Sequence, residues 1–302
     1  MIVFAISMVL GSLYTGGDQR IYTAVYNEIG SMGLIEAYAF YQFWLTSIEI
    51  IHFLFVWLLS GYIGKVFLFS ALNTFFAGLI IRLFDSLKVN FLVTAFFLLT
   101  NFYLYVLFFA AERLKLGFIL LLLSLVIRAS KKLKITLVFM SLTAHLQMLL
   151  VVAPKVFETA LSTLVRLLKV QRFKPIYLLI LVPFFLTPLI LDYLIQKAQA
   201  YSITQQSIFD YMRISIFLLL SLWYAPKGYS ARRIFIIFFP LFICVFFVGG
   251  DRINMIGYLF FLMFALEHNN GLNMGILITS MYFFVKTIIF VNNIIQSSTG
   301  FV

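Results

Sequence analysis

The chain has 302 residues, 63% of them hydrophobic and 11% charged, with a mean hydropathy of +1.06. So little polar surface argues against a water-soluble core and predicts an integral membrane protein. In that setting the net charge of +11 records which loops stay cytoplasmic, and it is not read as a nucleic-acid footprint.

Runs approaching the about 20 apolar residues needed to cross roughly 30 Å of hydrocarbon follow one another closely. They are rich in Phe and Leu and do not alternate polar with apolar, so they read as helices and not as barrel strands. In chain order the predicted spans are 2–15, 65–84, 89–111, 114–129, 134–152, 155–169, 175–195, 209–225, 233–249, 253–267 and 272–293. The expectation is an all-α, polytopic protein with about 11 transmembrane helices in one transmembrane domain, 1–302. The opening MIVFAISMVLGSLY lacks the basic region and cleavage site of a secretory signal and reads as a short first span. No internal repeat is evident. Cys244 stands alone in an apolar run, so an internal disulfide is excluded.

The basic clusters RASKKLK (128–134), RLLKVQRFK (166–174) and PKGYSARR (226–233) fall between alternate pairs of spans, which assigns them to the cytoplasmic side. The outer face then receives residues 16–64, the Glu112-Arg113 turn, the stretch 192–213 with its loop 196–208, and GGDRIN at 249–254. Counting Ile48–Gly64 as a full span would put RASKKLK outside, so this apolar stretch with Glu49 and His52 reads as re-entrant or interfacial. Residues 20–46 mix Tyr, Phe, Trp and scattered charge, as interfacial helices do.

Ionisable groups near a bilayer core are costly, so each needs a reason. Arg113 reads either as a local pair with Glu112 at the interface or as a phosphate ligand, since its planar fork donates two parallel hydrogen bonds. His145, in SLTAHLQMLL, is either a structural hydrogen bonder or a base. Asp251 suits a helix N-cap after the turn made by Gly249-Gly250, whereas Arg252 beside it is unfavourable at a helix N-terminus unless it meets an anion. Asp192, Tyr193, Asp210, Tyr211 and Arg213 flank KAQAYSITQQSIF, which suits either solvent or sugar hydroxyls. Asp18 follows a glycine pair and reads as the cap of a helix starting near Gln19 or as a group facing a hydroxyl. Lys286 lies in the last span, where it either snorkels or faces the bundle. No second His or Cys sits at metal-ligand spacing, and no cofactor is expected.

Taken in order, GGDQRIYTAVY (16–26), SIEIIHFLFVWLLS (47–60), ERLKLGF (112–118), SKKLK (130–134) and TAHLQMLL (143–150) resemble the bacterial Wzy-type, EpsG-like surface-polysaccharide polymerases. The chain departs from that pattern at Leu114, where Gln is common, and in having no Pro after Glu49. The resemblance implies a fold similar to GT-C membrane glycosyltransferases and a location in the bacterial inner membrane, with the active site facing the periplasm. It implies polymerisation of O-antigen or related repeat units, the growing glycan passing from undecaprenyl diphosphate to a sugar hydroxyl of the next unit. Arg113 and Arg252 would stabilise the diphosphate, and Asp18, Glu49 or His145 would orient or deprotonate the acceptor. Tyr22, Asp210 and Arg213 would bind sugar. The implied partners are undecaprenyl-diphosphate-linked oligosaccharides, the lipid bilayer and a chain-length regulator protein, with no nucleic acid.

An O-antigen ligase on the same lipid carrier would be expected to have a larger outer loop than 196–208. A transporter or flippase of lipid-linked oligosaccharides would distribute polar residues through the membrane depth in repeated halves. Here they gather at one predicted face, which favours chemistry there.

Overall fold

The computed structural model describes residues 1–152, 154, 208–226, 229–248 and 250–301. Predicted spans 155–169 and 175–195, the basic cluster 166–174, Asp192, Tyr193 and nearly all of loop 196–208 lie outside the described residues. Among those described, the chain is helical and contains no strand.

The helices are α1 (Ile2–Leu13), α2 (Asp18–Ile29), α3 (Leu34–Leu45), α4 (Ile50–Ser60), α5 (Lys65–Ser86), α6 (Phe91–Thr100) and α7 (Phe102–Tyr105), which runs into a π-helical turn, Val106–Ala110. Then come α8 (Glu112–Val126), α9 (Lys131–Ala144), α10 (Ile208–Tyr224), α11 (Ala231–Val248), α12 (Gly250–Ala265) and α13 (Met274–Ser297). They form two compact units, one of Met1–Met148 with Asn269–Val302 and one of Leu149–His268.

Short polar side chains set several helix starts. Asn90, Asn101, Ser130 and Asn273 each accept a hydrogen bond from a backbone N–H in the first turn of the helix that follows. The α2 start is different. Its N-cap is Gly17, at φ 58° and ψ −140°, a conformation open to glycine and strained for other residues. Neighbouring Gly16 donates its N–H to the Ser298 carbonyl at 2.8 Å, and a Cβ there would lie 2.5 Å from Thr299. The glycine pair therefore makes a turn and a close approach to the C-terminal residues. Asp18 is the first helical residue of α2 and not its cap, which corrects the capping expectation.

Two described helical runs, α5 and His268–Ser297, are individually long and apolar enough to cross a membrane; counting each of two bent pairs as one span makes four. Several other predicted spans exist as shorter helices. The 12 residues of α1 rise about 18 Å, short of a hydrocarbon core. Predicted span 89–111 is divided at Asn101, whose side chain restarts the helix, with a bend of 53°. Between α3 and α4 the chain turns through 116°, with Thr46 in the left-handed region at φ 44°. That is the geometry of a broken span or a re-entrant loop, and it carries Ser47 and Glu49 in its elbow.

In the first unit, α2 buries one face, Gln19, Tyr22, Val25, Tyr26 and Ile29, at helical spacing. This face packs with Tyr41 of α3, Phe53 and Val56 of α4 and Phe69 of α5. The Tyr26 hydroxyl donates to the Ile63 carbonyl at 2.7 Å. Burial, with the Glu112 carboxylate adding to it, pushes this phenol up to about 12, which keeps it a donor. Helices α8 and α9 form a hairpin around residues 127–130, with Leu116, Leu120 and Ala144 at its seam and Ile51 and Phe55 of α4 against it. Gly117 permits the close fit: a Cβ there would lie 2.7 Å from Met148, and its carbonyl accepts from the Ser141 hydroxyl at 2.8 Å.

Candidate functional site

The α8–α9 hairpin brings the start of one helix beside the end of the other. Arg113 lies in the first turn of α8, and His145 is the residue that ends α9, in extended backbone at φ −159° and ψ 127°. The α3–α4 elbow inserts Glu49 between them. Its Oε2 accepts from Arg113 Nη1 at 2.7 Å and from the Ser47 hydroxyl at 2.6 Å, and its Oε1 pairs with His145 Nδ1. Arg113 Nε donates to the Tyr22 hydroxyl at 2.9 Å, and His145 Nε2 lies 3.2 Å from Gln147 Oε1.

Glu49 is 4% exposed, so its charge gives up most of its hydration. Two cationic or protonatable groups and a hydroxyl take the place of water. The nearby His52 Nδ1 pairs with the Tyr41 hydroxyl at 2.9 Å, and His52 Nε2 is buried with no hydrogen-bond partner.

A second polar string adjoins this cluster. Lys65 pairs with Glu112 at 3.1 Å and donates to Gln19 Oε1 at 2.8 Å and Thr23 Oγ1 at 3.1 Å. Glu112 is therefore the partner of Lys65, and Arg113 that of Glu49, which corrects the reading of a local Glu112-Arg113 pair. The reason lies in helix geometry: consecutive residues point about 100° apart around the axis, so each finds a partner on a different neighbour. Deeper in, Lys115 is fully buried and donates to Asn73 Oδ1 at 2.6 Å and the Phe108 carbonyl at 2.9 Å. Asn73 also donates to Phe108 O at 3.2 Å and to the Ser7 hydroxyl at 3.1 Å. In the π-helical turn Ala111 N–H bonds to Val106 O, five residues back, and the Phe108 carbonyl takes both side-chain donors.

The structure thus gathers Glu49, Arg113, His145 and Tyr22 into one hydrogen-bonded cluster. Asp18, exposed at the start of α2, does not join it. In the second unit Asp210 Oδ1 accepts from Arg213 at 3.1 Å and from Asn254 Nδ2 at 3.3 Å. Gly250 packs so tightly here that a Cβ would lie 1.9 Å from the Asp210 carboxyl carbon. Helix α12 begins at Gly250, so Arg252 sits half-buried within its first turn; Asp251 is also inside the helix, which corrects its assignment as the cap. Lys286 in α13 is half-buried, its ammonium 5.2 Å from the ring centroid of Phe102 and 5.4 Å from that of Tyr282.

Gln19, Tyr41, His52, Lys65, Asn73 and Lys115 entered no sequence assignment as site residues. For Asn73 and Lys115 the signal was present: polar groups inside apolar helices, which call for internal partners. Among the described residues no group of three or more His, Cys, Asp or Glu side chains is arranged to hold a metal ion. No family model, curated protein or solved structure matches the chain.

Proposed function

We propose that this chain is a bacterial inner-membrane glycosyltransferase that polymerises lipid-linked oligosaccharide repeat units at the outer face. The observation that carries the reading is the Glu49–Arg113–His145 cluster. Three separate segments that resemble the polymerase family in sequence converge on one buried carboxylate, an arrangement chemistry needs and membrane anchoring does not.

In the proposed reaction an acceptor sugar hydroxyl attacks the anomeric carbon of the growing chain. A new C–O bond forms, the bond to the lipid diphosphate breaks, and the diphosphate leaves with the bonding electrons. Arg113 already spends Nε on Tyr22 and Nη1 on Glu49, which fixes the plane of its guanidinium and leaves Nη2 as the donor assigned to the leaving phosphate. Glu49 holds His145 through Nδ1, so Nε2 is the atom that takes the acceptor proton. Gln147, whose amide presents either oxygen or NH2, suits both states of that ring.

The test is the surface-glycan ladder of a deletion strain carrying each variant. Arg113→Ala and His145→Ala are expected to collapse it to single repeat units at normal protein abundance; long chains in both would overturn the reading. Reporters placed after Lys132 and after Gln206 are expected on opposite sides of the membrane, and finding both on one side would overturn the orientation.

A further inference from the structure

Beside the cluster lies a half-open cavity of about 130 Å³, lined by α1, α2, α5, the π-helical turn and the start of α8. A hydrocarbon-lined cavity of about 150 Å³ accepts one benzene ring, so this space is on the scale of a single six-membered ring. Its lining is different in kind. Gln19, Thr23, Lys65, Ser70, Asn73 and Glu112 line it together with aromatic walls that include Tyr14, Phe69 and Phe108.

Three features narrow the occupant. The charges balance, Lys65 against Glu112 at 3.1 Å, so neither a free anion nor a free cation is selected. The hydroxyls of Ser12, Thr15 and Thr23 and the Glu112 carboxylate supply donors and acceptors, as a polyol requires, while the Gln19 and Asn73 amides already bond to Lys65, Lys115 and backbone carbonyls. The aromatic rings offer apolar faces for ring C–H groups. The cavity connects to the Glu49–Arg113 cluster through one intervening ring: the Tyr22 centroid lies 5.7 Å from Lys65 Nζ, which lines the cavity, and 5.8 Å from Arg113 Cζ, and the Tyr22 hydroxyl accepts from Arg113.

We propose that this cavity is a subsite for one pyranose ring of the lipid-linked repeat unit, read by the Thr23 hydroxyl and the Glu112 carboxylate, which Lys65 and Gln19 hold in place. The identity of the ligand rests on the transferase reading; the existence of a neutral sugar site does not. A ring seated here would hold the rest of the repeat unit against Arg113 and select the unit by its hydroxyl pattern.

The experiment uses the full chain in lipid nanodiscs and a panel of methyl glycopyranosides as probes, followed by saturation-transfer NMR and thermal unfolding. At least one glycoside is expected to bind saturably. Thr23→Trp and Ser12→Trp, both at exposed positions on the cavity rim, are expected to weaken it by about tenfold or more. No binding by any glycoside, binding unchanged in both Trp variants, or binding of inorganic phosphate instead would overturn the subsite. Glycoside binding alongside long chains in Arg113→Ala and His145→Ala would uphold the sugar site and overturn the transferase reading. Collapsed ladders with no glycoside binding would do the reverse.

Discussion

Glu49 in the first unit and Asp210 in the second each hold an arginine, but by different means. The arginine of Glu49 comes from 64 residues away, and the two side chains are 13% and 4% exposed. That of Asp210 sits one helical turn along, and the side chains are 32% and 16% exposed. A pair three residues apart on a helix forms whenever the helix does and stays partly hydrated, so it contributes little. A buried cluster made from an elbow, a helix start and a helix end exists only in the folded chain. Its loss strands charges where water does not reach.

This contrast orders the expected responses to mutation. Glu49→Ala leaves Arg113 and His145 without their carboxylate and is expected to cost about 3–5 kcal/mol in detergent-solubilised protein; thermal unfolding within error of wild type would erase the distinction. Tyr22→Phe removes one hydrogen bond to a charged group and is expected to cost about 1.5–3 kcal/mol by the same measurement. Gly250→Ala perturbs the second cluster by crowding, with no change of charge, and about 1–3 kcal/mol is expected from overpacking against Asp210. Arg213→Ala is expected to cost below about 1 kcal/mol. A double-mutant cycle sharpens the comparison: coupling is expected to be large for Glu49 with Arg113 and near zero for Asp210 with Arg213.

Helix positions were legible because long apolar runs bounded by Asn, Ser and Gly leave few alternatives. Predicted spans 65–84, 209–225 and 272–293 fall on α5, α10 and α13. What the pattern could not reveal was interruption. Asn101 and the π-helical turn after it divide a stretch whose hydropathy is unbroken, because a capping side chain and a shifted hydrogen bond scarcely change composition. The same limit applied to the site. Arg113 was readable as part of an outer turn, and His145 as a polar group within predicted span 134–152. Their junction through Glu49 was not, since a 116° elbow leaves only a short polar SIE as its mark. Lys65 looked like a helix-start residue, and only packing shows it reaching Gln19, Thr23 and Glu112.

The α8–α9 hairpin also acts as a ruler on the history of this sequence. Each residue inserted within α9 ahead of His145 would swing that ring by about 100° and shift it by about 1.5 Å, away from Glu49. The same insertion at residues 127–130, where the chain reverses, would leave both helices in register. Length variants that keep the Glu49–His145 pair are therefore expected to carry their insertions at that reversal, and a library of single-residue insertions scored for thermal unfolding of the solubilised protein would map the boundary.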